Sequence, residues 1–310
     1  MHAIERLRSI ARAGEIESTE LACEAAYALA GLSDDRRALV ASCRRLLEFH
    51  PHAGALWWTC AQLIDSNDLR HCAVTLVDQL EQDASIDELF SLPSAQDRVV
   101  AESSRQIVRA LHDRVDLPVR LVGDGRSLRL GMRFFTDSVA PVEAFQVTES
   151  ELAFRDATLV VIEALAASRD GLLVSKAASR LVVQAREQEL PVVVLAGVGR
   201  VLPDALFGAM QDLGRLLKAK DQDREWERGQ SVAGELLDRY VDEKPSMDVH
   251  EHSMEQIFHD RYVIGPDLAD RYVTARGVQM PAVVFHSSPS VSHLRCPVPE
   301  ELLSGFGVTR

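Results

Sequence analysis

The residues best suited to chemistry are polar side chains that follow short apolar runs. Such runs, rich in β-branched residues, are typical of buried parallel strands, and open α/β sheets bind ligands beyond the carboxyl ends of their strands. The polar residues at these ends are residues 102–105, residues 124–127, Glu163, Ser175, Lys176 and Arg200. The sequence therefore predicts a sheet edge that mixes cations with small polar residues.

Lys176 and Arg200 are the cations at this edge to which an anion could bind. Lys176 stands where a helix would begin, and the free N–H groups and dipole of a helix N-terminus favour an anion. A phosphate held by both side chains is chemically sensible, since each donates charge-assisted hydrogen bonds. The local balance at Lys176 and Arg200 is thus predicted to be cationic. The same cations could instead only offset carboxylates such as Glu163 and Asp170, and spacing alone does not decide.

Two further patterns are weak signals of a metal or a dinucleotide. His250, His252 and His259 are metal-ligand types, but a His-x-His pair in a polar loop is mostly solvated surface. The pair Gly197 and Gly199 follows a strand-like run without the third glycine of a dinucleotide-binding loop. The sequence predicts neither a cofactor nor a metal.

The elements that position these residues change character near residue 92. Up to about Phe90 the apolar residues recur at helical spacing, and the segment 91–94 is the predicted domain boundary. Beyond it, strands alternate with helices, which predicts an α/β sheet covered on both faces. The predicted strands lie at about 98–101, 119–123, 142–147, 158–162 and 191–197, and the predicted helices include 175–188 and one from Pro266 through Thr274. The domains are residues 1–92 and 93–310, with a charged insertion at about 218–252.

Charge and composition exclude some function classes. Of the 310 residues, 34 are Lys or Arg and 47 are Asp or Glu, so the formal net charge is −13. A chain this acidic has no whole-protein electrostatic reason to bind nucleic acid or an anionic membrane. Three further features predict a cytoplasmic protein. The sequence starts with charged residues, it has no run of about 18 apolar residues, and its five cysteines include no Cys-x-x-Cys pair.

Several runs, in order, carry a family resemblance. They are 155–164, 170–176, 190–194, 199–203, 262–268 and 274–278, with Ile10 to Gly14 near the start. They resemble the superfamily of the alpha, beta and delta subunits of translation initiation factor 2B, ribose-1,5-bisphosphate isomerase and methylthioribose-1-phosphate isomerase. In that superfamily a strand ending Gly-Ala-Asp or Gly-Ala-Glu, the segment Asn-Lys-Ile-Gly-Thr, a helix and a Lys-Phe-x-Pro segment follow one another.

The resemblance implies a helical N-terminal domain on a Rossmann-like, parallel-sheet C-terminal domain, with a sugar-phosphate pocket between them. It also implies a homodimer or higher oligomer. The retained phosphate-binding positions are Arg12, Ser175 in place of asparagine, Lys176, and Arg200 in place of lysine.

The same resemblance implies that the usual catalytic pair is absent. The isomerases' cysteine would fall near Glu102, their aspartate at Leu165, and an arginine expected before Pro51 is His50. Moving a proton between adjacent sugar carbons needs a positioned acid and base. Glu102 and Glu163 are the candidates, although Glu102 is equally well an exposed acid at a strand end.

Two functions therefore remain open. The first is a protein that binds a sugar phosphate or nucleotide and acts through oligomer assembly without isomerase activity. The alternative is an aldose-ketose isomerase for a phosphorylated pentose with a rewired acid/base pair. A metal-dependent enzyme that uses the three histidines ranks last.

Overall fold

The structure is a computed structural model that describes residues 3–12, 17–33, 35–136, 138–232, 254–258, 260–286 and 296–306. Within these ranges, six helices precede the first strand. They are α1 (Ala3–Arg12), α2 (Ser18–Ala30), α3 (Arg36–Phe49), α4 (Gly54–Asp65), α5 (Leu69–Glu81) and α6 (Ser85–Ser91). Acidic caps define several starts: Asp35 accepts from the Ala38 N–H at 2.9 Å, and Asp68 from that of His71 at 3.1 Å.

Eleven strands follow in the described part of the chain. They are β1 (Val99–Glu102), β2 (Val119–Gly123), β3 (Val142–Gln146), β4 (Leu159–Glu163), β5 (Ala166–Ser168), β6 (Gly171–Ser175), β7 (Val192–Leu195), β8 (Met254–Phe258), β9 (Arg261–Ile264), β10 (Arg271–Thr274) and β11 (Gly277–Gln279). Seven of them form one sheet in the order β11-β10-β7-β4-β1-β2-β3, parallel except for β11. The other four form an antiparallel sheet in the order β5-β6-β9-β8.

Helices cover both faces of the seven-stranded sheet. The later helices are α7 (Arg105–Leu111), α8 (Gly125–Met132), α9 (Ser150–Ala153), α10 (Lys176–Glu187), α11 (Asp204–Val232), α12 (Pro281–His286) and α13 (Glu300–Leu303). Successive side chains of β4 point to opposite faces, so Val160 packs in a core with Leu181 of α10, whereas Val161 packs in a core with Ile107 of α7. The predicted α/β class with a parallel sheet behind N-terminal helices is confirmed.

The N-terminal helices share a third core with the smaller sheet and α11. Trp57 of α4, Leu173 of β6, Phe207 of α11 and Ile257 of β8 are all buried in it. The division into domains at residue 92 stays a prediction. The charged segment predicted from about residue 218 begins inside α11, and residues 233–253 lie outside the described part.

One predicted element is wrong. The helix expected from Pro266 through Thr274 is a single 3-10 turn, Pro266–Leu268, followed by β10, which pairs with β7. Tyr272 and Val273 are buried against the sheet, and β-branched and aromatic side chains suit a strand in that setting. No helix in the described part of the chain is both long and apolar enough to cross a membrane.

The order of the strands places a crevice between β1 and β4. From β1 the chain adds β2 and β3 on one side, then crosses to β4 on the other. At such a reversal of strand order the carboxyl ends of the two strands leave a gap in which α/β proteins bind ligands. We call this gap the switch-point crevice; its two strands end at Glu102 and Glu163.

Candidate functional site

Two buried carboxylates mark the switch-point crevice. Glu102 and Glu163 are only 8% and 6% exposed. Buried carboxyl groups require hydrogen bonds or counter-charges, and each of these two has a different set. Glu102 is therefore not the exposed strand-end acid that the sequence left open.

Glu102 is held by hydrogen bonds. Its Oε2 accepts from the backbone N–H of Glu163 at 2.9 Å, and its Oε1 accepts from the Ser175 hydroxyl. Burial, followed by the negative charge of Glu163, raises the pKa of Glu102 to about 7, while the bond from Ser175 acts in the opposite direction. The raised pKa makes Glu102 the candidate acid or base of this pair of carboxyl groups.

Ser175 links that carboxyl group to the start of α10. Its Oγ also accepts from the N–H of Ala178 at 3.1 Å, so the same hydroxyl caps the helix. Lys176, the first residue of α10, has a half-exposed side chain whose Nζ lies 3.7 Å from Oδ1 of Asp260. This is a loose pair, and the ammonium group remains accessible at the helix N-terminus.

Arg200, in contrast, is locked in place. Its Nη2 lies 2.7 Å from Oε1 of Glu163 and 3.1 Å from Oε1 of Glu17, and its Nη1 donates to the carbonyl oxygen of Ala164 at 3.2 Å. The residue is 2% exposed. Glu17 also caps α2 through an N–H bond from Glu20 at 3.0 Å, so this network joins the N-terminal helices to the sheet.

The charges of this network are mutually dependent. Burial opposes ionisation of Arg200, but the carboxylates of Glu163 and then Glu17 raise its pKa. Burial likewise opposes ionisation of Glu17, yet the Arg200 charge and backbone hydrogen bonds hold its pKa below the usual value. Burial raises the pKa of Glu163, and the positive charge of Arg200 opposes that rise.

The prediction of a cationic balance at this edge is wrong. Glu17 and Glu163 surround Arg200, and Asp83 accepts from the nearby Val198 N–H at 2.8 Å. The sequence list omitted Glu17 and Asp83 because both come from the N-terminal helices. Only Lys176 offers an accessible positive charge among the cations predicted here whose side chains are described.

The structure brings five of the six predicted site residues to the crevice: Glu102, Glu163, Ser175, Lys176 and Arg200. Arg12 ends α1, and its side chain lies outside the described part, as do His250, His252 and His259. In the described part, no three or more His, Cys, Asp or Glu side chains are grouped so as to hold a metal ion.

Two of the three positions where the resemblance implied a replaced residue have structural contacts; the third is near Glu102. His50 is buried, and its Nε2 lies 3.0 Å from the carbonyl oxygen of Ile10. Leu165 takes part through its backbone, since its carbonyl oxygen accepts from the Gly54 N–H at 3.2 Å. The Leu165 side chain has no group that transfers a proton, and the His50 ring contacts the backbone of α1.

Sequence reasoning missed Glu17, Asp83 and Asp260. A local signal existed for Glu17, which directly precedes α2 and caps it, whereas Asp83 stands two residues before α6. Their contacts with Arg200 and Val198, more than 100 residues away, have no local signal. Asp260 stands in a turn before β9, and its pairing with Lys176 requires the β6–β9 ladder.

Comparison with known proteins shows which solved structures share this fold. No family model and no curated protein matches the sequence. Among solved structures, the translation initiation factor eIF-2B from Pyrococcus horikoshii OT3 is similar over 90% of this chain and 97% of its own, with TM-score 0.65 and 14% identity. The tetrameric eIF2B-beta2-delta2 complex from C. thermophilum matches with TM-score 0.56 and 16% identity over 91% of both chains.

A third solved structure is an enzyme. The 5-methylthioribose 1-phosphate isomerase from Pyrococcus horikoshii OT3 is similar over 90% of this chain and 84% of its own, with TM-score 0.53 and 12% identity. At these identities the likeness is one of fold. The resemblance seen in the sequence is confirmed to that extent: this chain has the fold shared by the eIF2B subunits and this isomerase.

Proposed function

We propose that this protein binds a phosphorylated sugar or nucleotide in the switch-point crevice and does not catalyse isomerisation. Two features support the location. The crevice lies where the strand order reverses, and the N-terminal helices close it through Glu17. One of the solved structures with this fold is named for a sugar-phosphate substrate.

Lys176 is the proposed phosphate ligand. Its ammonium group is half exposed at the N-terminus of α10, a helix of 12 residues whose dipole adds to its charge. The competing carboxylate, Asp260, is 3.7 Å away and itself partly exposed, so a phosphate can displace it at small cost. For Arg200 to bind the phosphate directly, Glu17 or Glu163 would have to give up its ion pair.

Glu102 and Ser175 are the proposed contacts for sugar hydroxyl groups. A carboxyl group and a hydroxyl each donate and accept hydrogen bonds, so together they recognise vicinal hydroxyls. Ser175 directly precedes Lys176, which places hydroxyl recognition next to phosphate recognition. A molecule that carries both groups matches this site better than inorganic phosphate does.

The contact between Arg200 and Glu163 is the observation that argues most directly against isomerase activity. An isomerase of the usual kind needs two groups that exchange protons with the sugar. At 2.7 Å from a buried guanidinium, Glu163 is committed to an ion pair, and protonating it would leave Arg200 under-compensated. Only Glu102 is then free to act as an acid or base.

One observation favours the alternative, an aldose-ketose isomerase for a phosphorylated pentose. The pKa of Glu102 is raised to about 7, the range in which a carboxyl group works as a general acid or base. In an isomerase of this kind, Glu102 would move the proton, and the ion pair of Glu163 and Arg200 would only hold Glu102 in position.

We further propose that the protein acts as a homodimer or higher oligomer. The support is the fold shared with a subunit of a tetrameric eIF2B complex.

A thermal-shift screen followed by a turnover assay tests the proposal. The probes are ribose 5-phosphate, ribose 1,5-bisphosphate, methylthioribose 1-phosphate and nucleoside monophosphates, with ribose and inorganic phosphate as controls. A native-state ligand raises the apparent melting temperature by mass action. We expect a shift with a phosphorylated probe and no isomer product. Product that disappears in Glu102→Gln would establish the isomerase instead, and no shift with any probe would contradict both functions.

A further inference from the structure

A cavity lies at the carboxyl ends of β7 and β10, next to the switch-point crevice, with which it shares the loop that follows β7. Its volume is about 420 Å³, within the range of roughly 300–1,000 Å³ typical of small-molecule sites. Its walls are the loop 196–204 after β7, the turn 274–276 after β10, α12, and Trp58 of α4. Glu102, Glu163, Lys176 and Arg200 are not among its lining residues.

The cavity has one cation without a counter-charge. The guanidinium of Arg276 makes no hydrogen bond or ion pair with any residue in the described part of the chain. Arg169, the other cation of the lining, is paired with Asp204 at 2.6 Å. A ligand anion would therefore meet Arg276 without displacing a carboxylate.

Local hydrogen bonds fix the turn that carries this arginine. Thr274 Oγ1 accepts from the backbone N–H of Arg276 at 3.1 Å and lies 3.3 Å from the Oε1 of Gln279. Gln279 also lines the cavity, and an amide side chain has N–H groups that can donate to a ligand. The turn thus presents two kinds of donor, a guanidinium and an amide.

Apolar and aromatic side chains also line the cavity. Phe285, Val201 and Val284 are among them, as is Trp58, of which only 2% is exposed. The backbone at Gly199 has φ +75° and lies against the indole, so that an added Cβ would come within 3.0 Å of Trp58 Cε3. Only glycine permits this close approach, so the backbone at Gly199 packs directly against the Trp58 indole.

We infer that this cavity is a second ligand site, specific for a small aromatic anion. The planar body lies against the wall formed by Trp58 and Phe285, and the anionic group lies on Arg276 and Gln279. The apolar wall provides most of the binding free energy by burial, and the charge-assisted bonds to Arg276 give orientation. This site is separate from the one in the proposed function and does not depend on it.

Tryptophan fluorescence titration with phenyl phosphate and AMP tests the inference. Benzyl alcohol and inorganic phosphate are the controls that lack the charge or the ring. We expect both aromatic phosphates to change the emission of the wild type, and the response to fall strongly in Trp58→Phe. Affinity should fall about tenfold in Arg276→Ala, the loss of one charge-assisted contact.

Two variants separate this site from other sources of binding. Arg271→Ala removes an exposed arginine of β10 that does not line the cavity, and Lys176→Ala removes the cation of the switch-point crevice. Arg271→Ala should bind phenyl phosphate as the wild type does, and Lys176→Ala shows whether the fluorescence response arises from the switch-point crevice instead. The inference is overturned if neither aromatic phosphate binds, if Arg276→Ala binds as tightly as wild type, if inorganic phosphate binds equally well, or if Lys176→Ala abolishes the response.

Discussion

Arg200 Nη2 lies 2.7 Å from Oε1 of Glu163, and both side chains are more than nine-tenths buried. One belongs to the loop after β7 and the other ends β4, so the ion pair spans neighbouring strands at the ligand-binding edge of the sheet. Glu17 adds a second carboxylate from the N-terminal helices. Arg200 thus links the N-terminal helices to the sheet through Glu17. Its pairing with Glu163 leaves Glu102 as the carboxyl group of the crevice that can act as an acid or base.

Loss of the arginine should destabilise the fold strongly. Arg200→Met keeps the length of the side chain but leaves Glu163 and Glu17 buried without a cation, which typically costs about 3–5 kcal/mol. The free energy of unfolding, measured by urea denaturation at neutral pH, checks this.

Arg215→Met is the matched control. Arg215 pairs with Asp212 on the exposed surface of α11, and loss of an exposed pair changes stability by less than about 1 kcal/mol. Equal effects of the two substitutions would show that the buried pair contributes no more than a surface pair.

The contribution of Glu102 to stability should decrease as the pH rises towards 7. The pKa of Glu102 is raised to about 7 in the folded protein, above the ordinary carboxyl value that the unfolded chain has, so at this group the folded state binds more protons between those two values. Burial lowers the pKa of His52 to about 4, and this group acts in the opposite direction over much of the same range, so the net change of the wild type does not isolate Glu102. Urea denaturation of the wild type and of Glu102→Gln at about pH 5 and about pH 8 measures the contribution as the difference between the two proteins, with an expected size of ~3 kcal/mol.

Glu102→Gln isolates this contribution. Glutamine accepts the N–H bond from Glu163 but does not titrate, so the variant should lack the part of the pH dependence due to Glu102. Ser175 can turn its hydroxyl to accept from the amide, which keeps the contact. A variant with the full pH dependence of the wild type would place the titrating group elsewhere.

Two glycines should respond in opposite ways to alanine. Gly199 has φ +75° and an added Cβ would lie 3.0 Å from Trp58, so Gly199→Ala should destabilise by about 1–3 kcal/mol. Gly208 lies inside α11 with nothing within 4 Å of an added Cβ, so Gly208→Ala should stabilise by about 0.5–1 kcal/mol.

Thermal unfolding of the two variants beside the wild type checks this. Equal and small shifts would mean that the backbone at Gly199 is not held in the left-handed region.

The central sheet was predictable because its strands carry their own signal. Val192 to Leu195 and Leu159 to Ile162 are apolar and mostly β-branched, as the centre of a parallel sheet requires. The smaller sheet was missed because β5 has only three residues and β6 reads equally well as loop. β10 was mistaken for a helix because Pro266 to Leu268 has a helix-start pattern that ends after one turn.

The candidate site was predictable only in part, for a related reason. Glu102, Glu163 and Ser175 follow or end strands, and parallel strands bring their carboxyl ends to one edge, so their meeting follows from local pattern. The neutralisation of Arg200 by Glu17 depends on how the N-terminal helices pack against the sheet, over a separation of 183 residues. No local pattern encodes that packing.

Binding of a phosphorylated sugar through Lys176 tests the account most directly. Isothermal titration calorimetry would use the phosphorylated sugar among the screening probes with the largest thermal shift, on wild type, Lys176→Ala and Arg180→Ala. Arg180 is an exposed cation on the same helix and serves as the matched control. The account predicts that Kd rises about tenfold or more in Lys176→Ala and is unchanged in Arg180→Ala. Equal affinity of all three proteins would contradict a phosphate site at the start of α10.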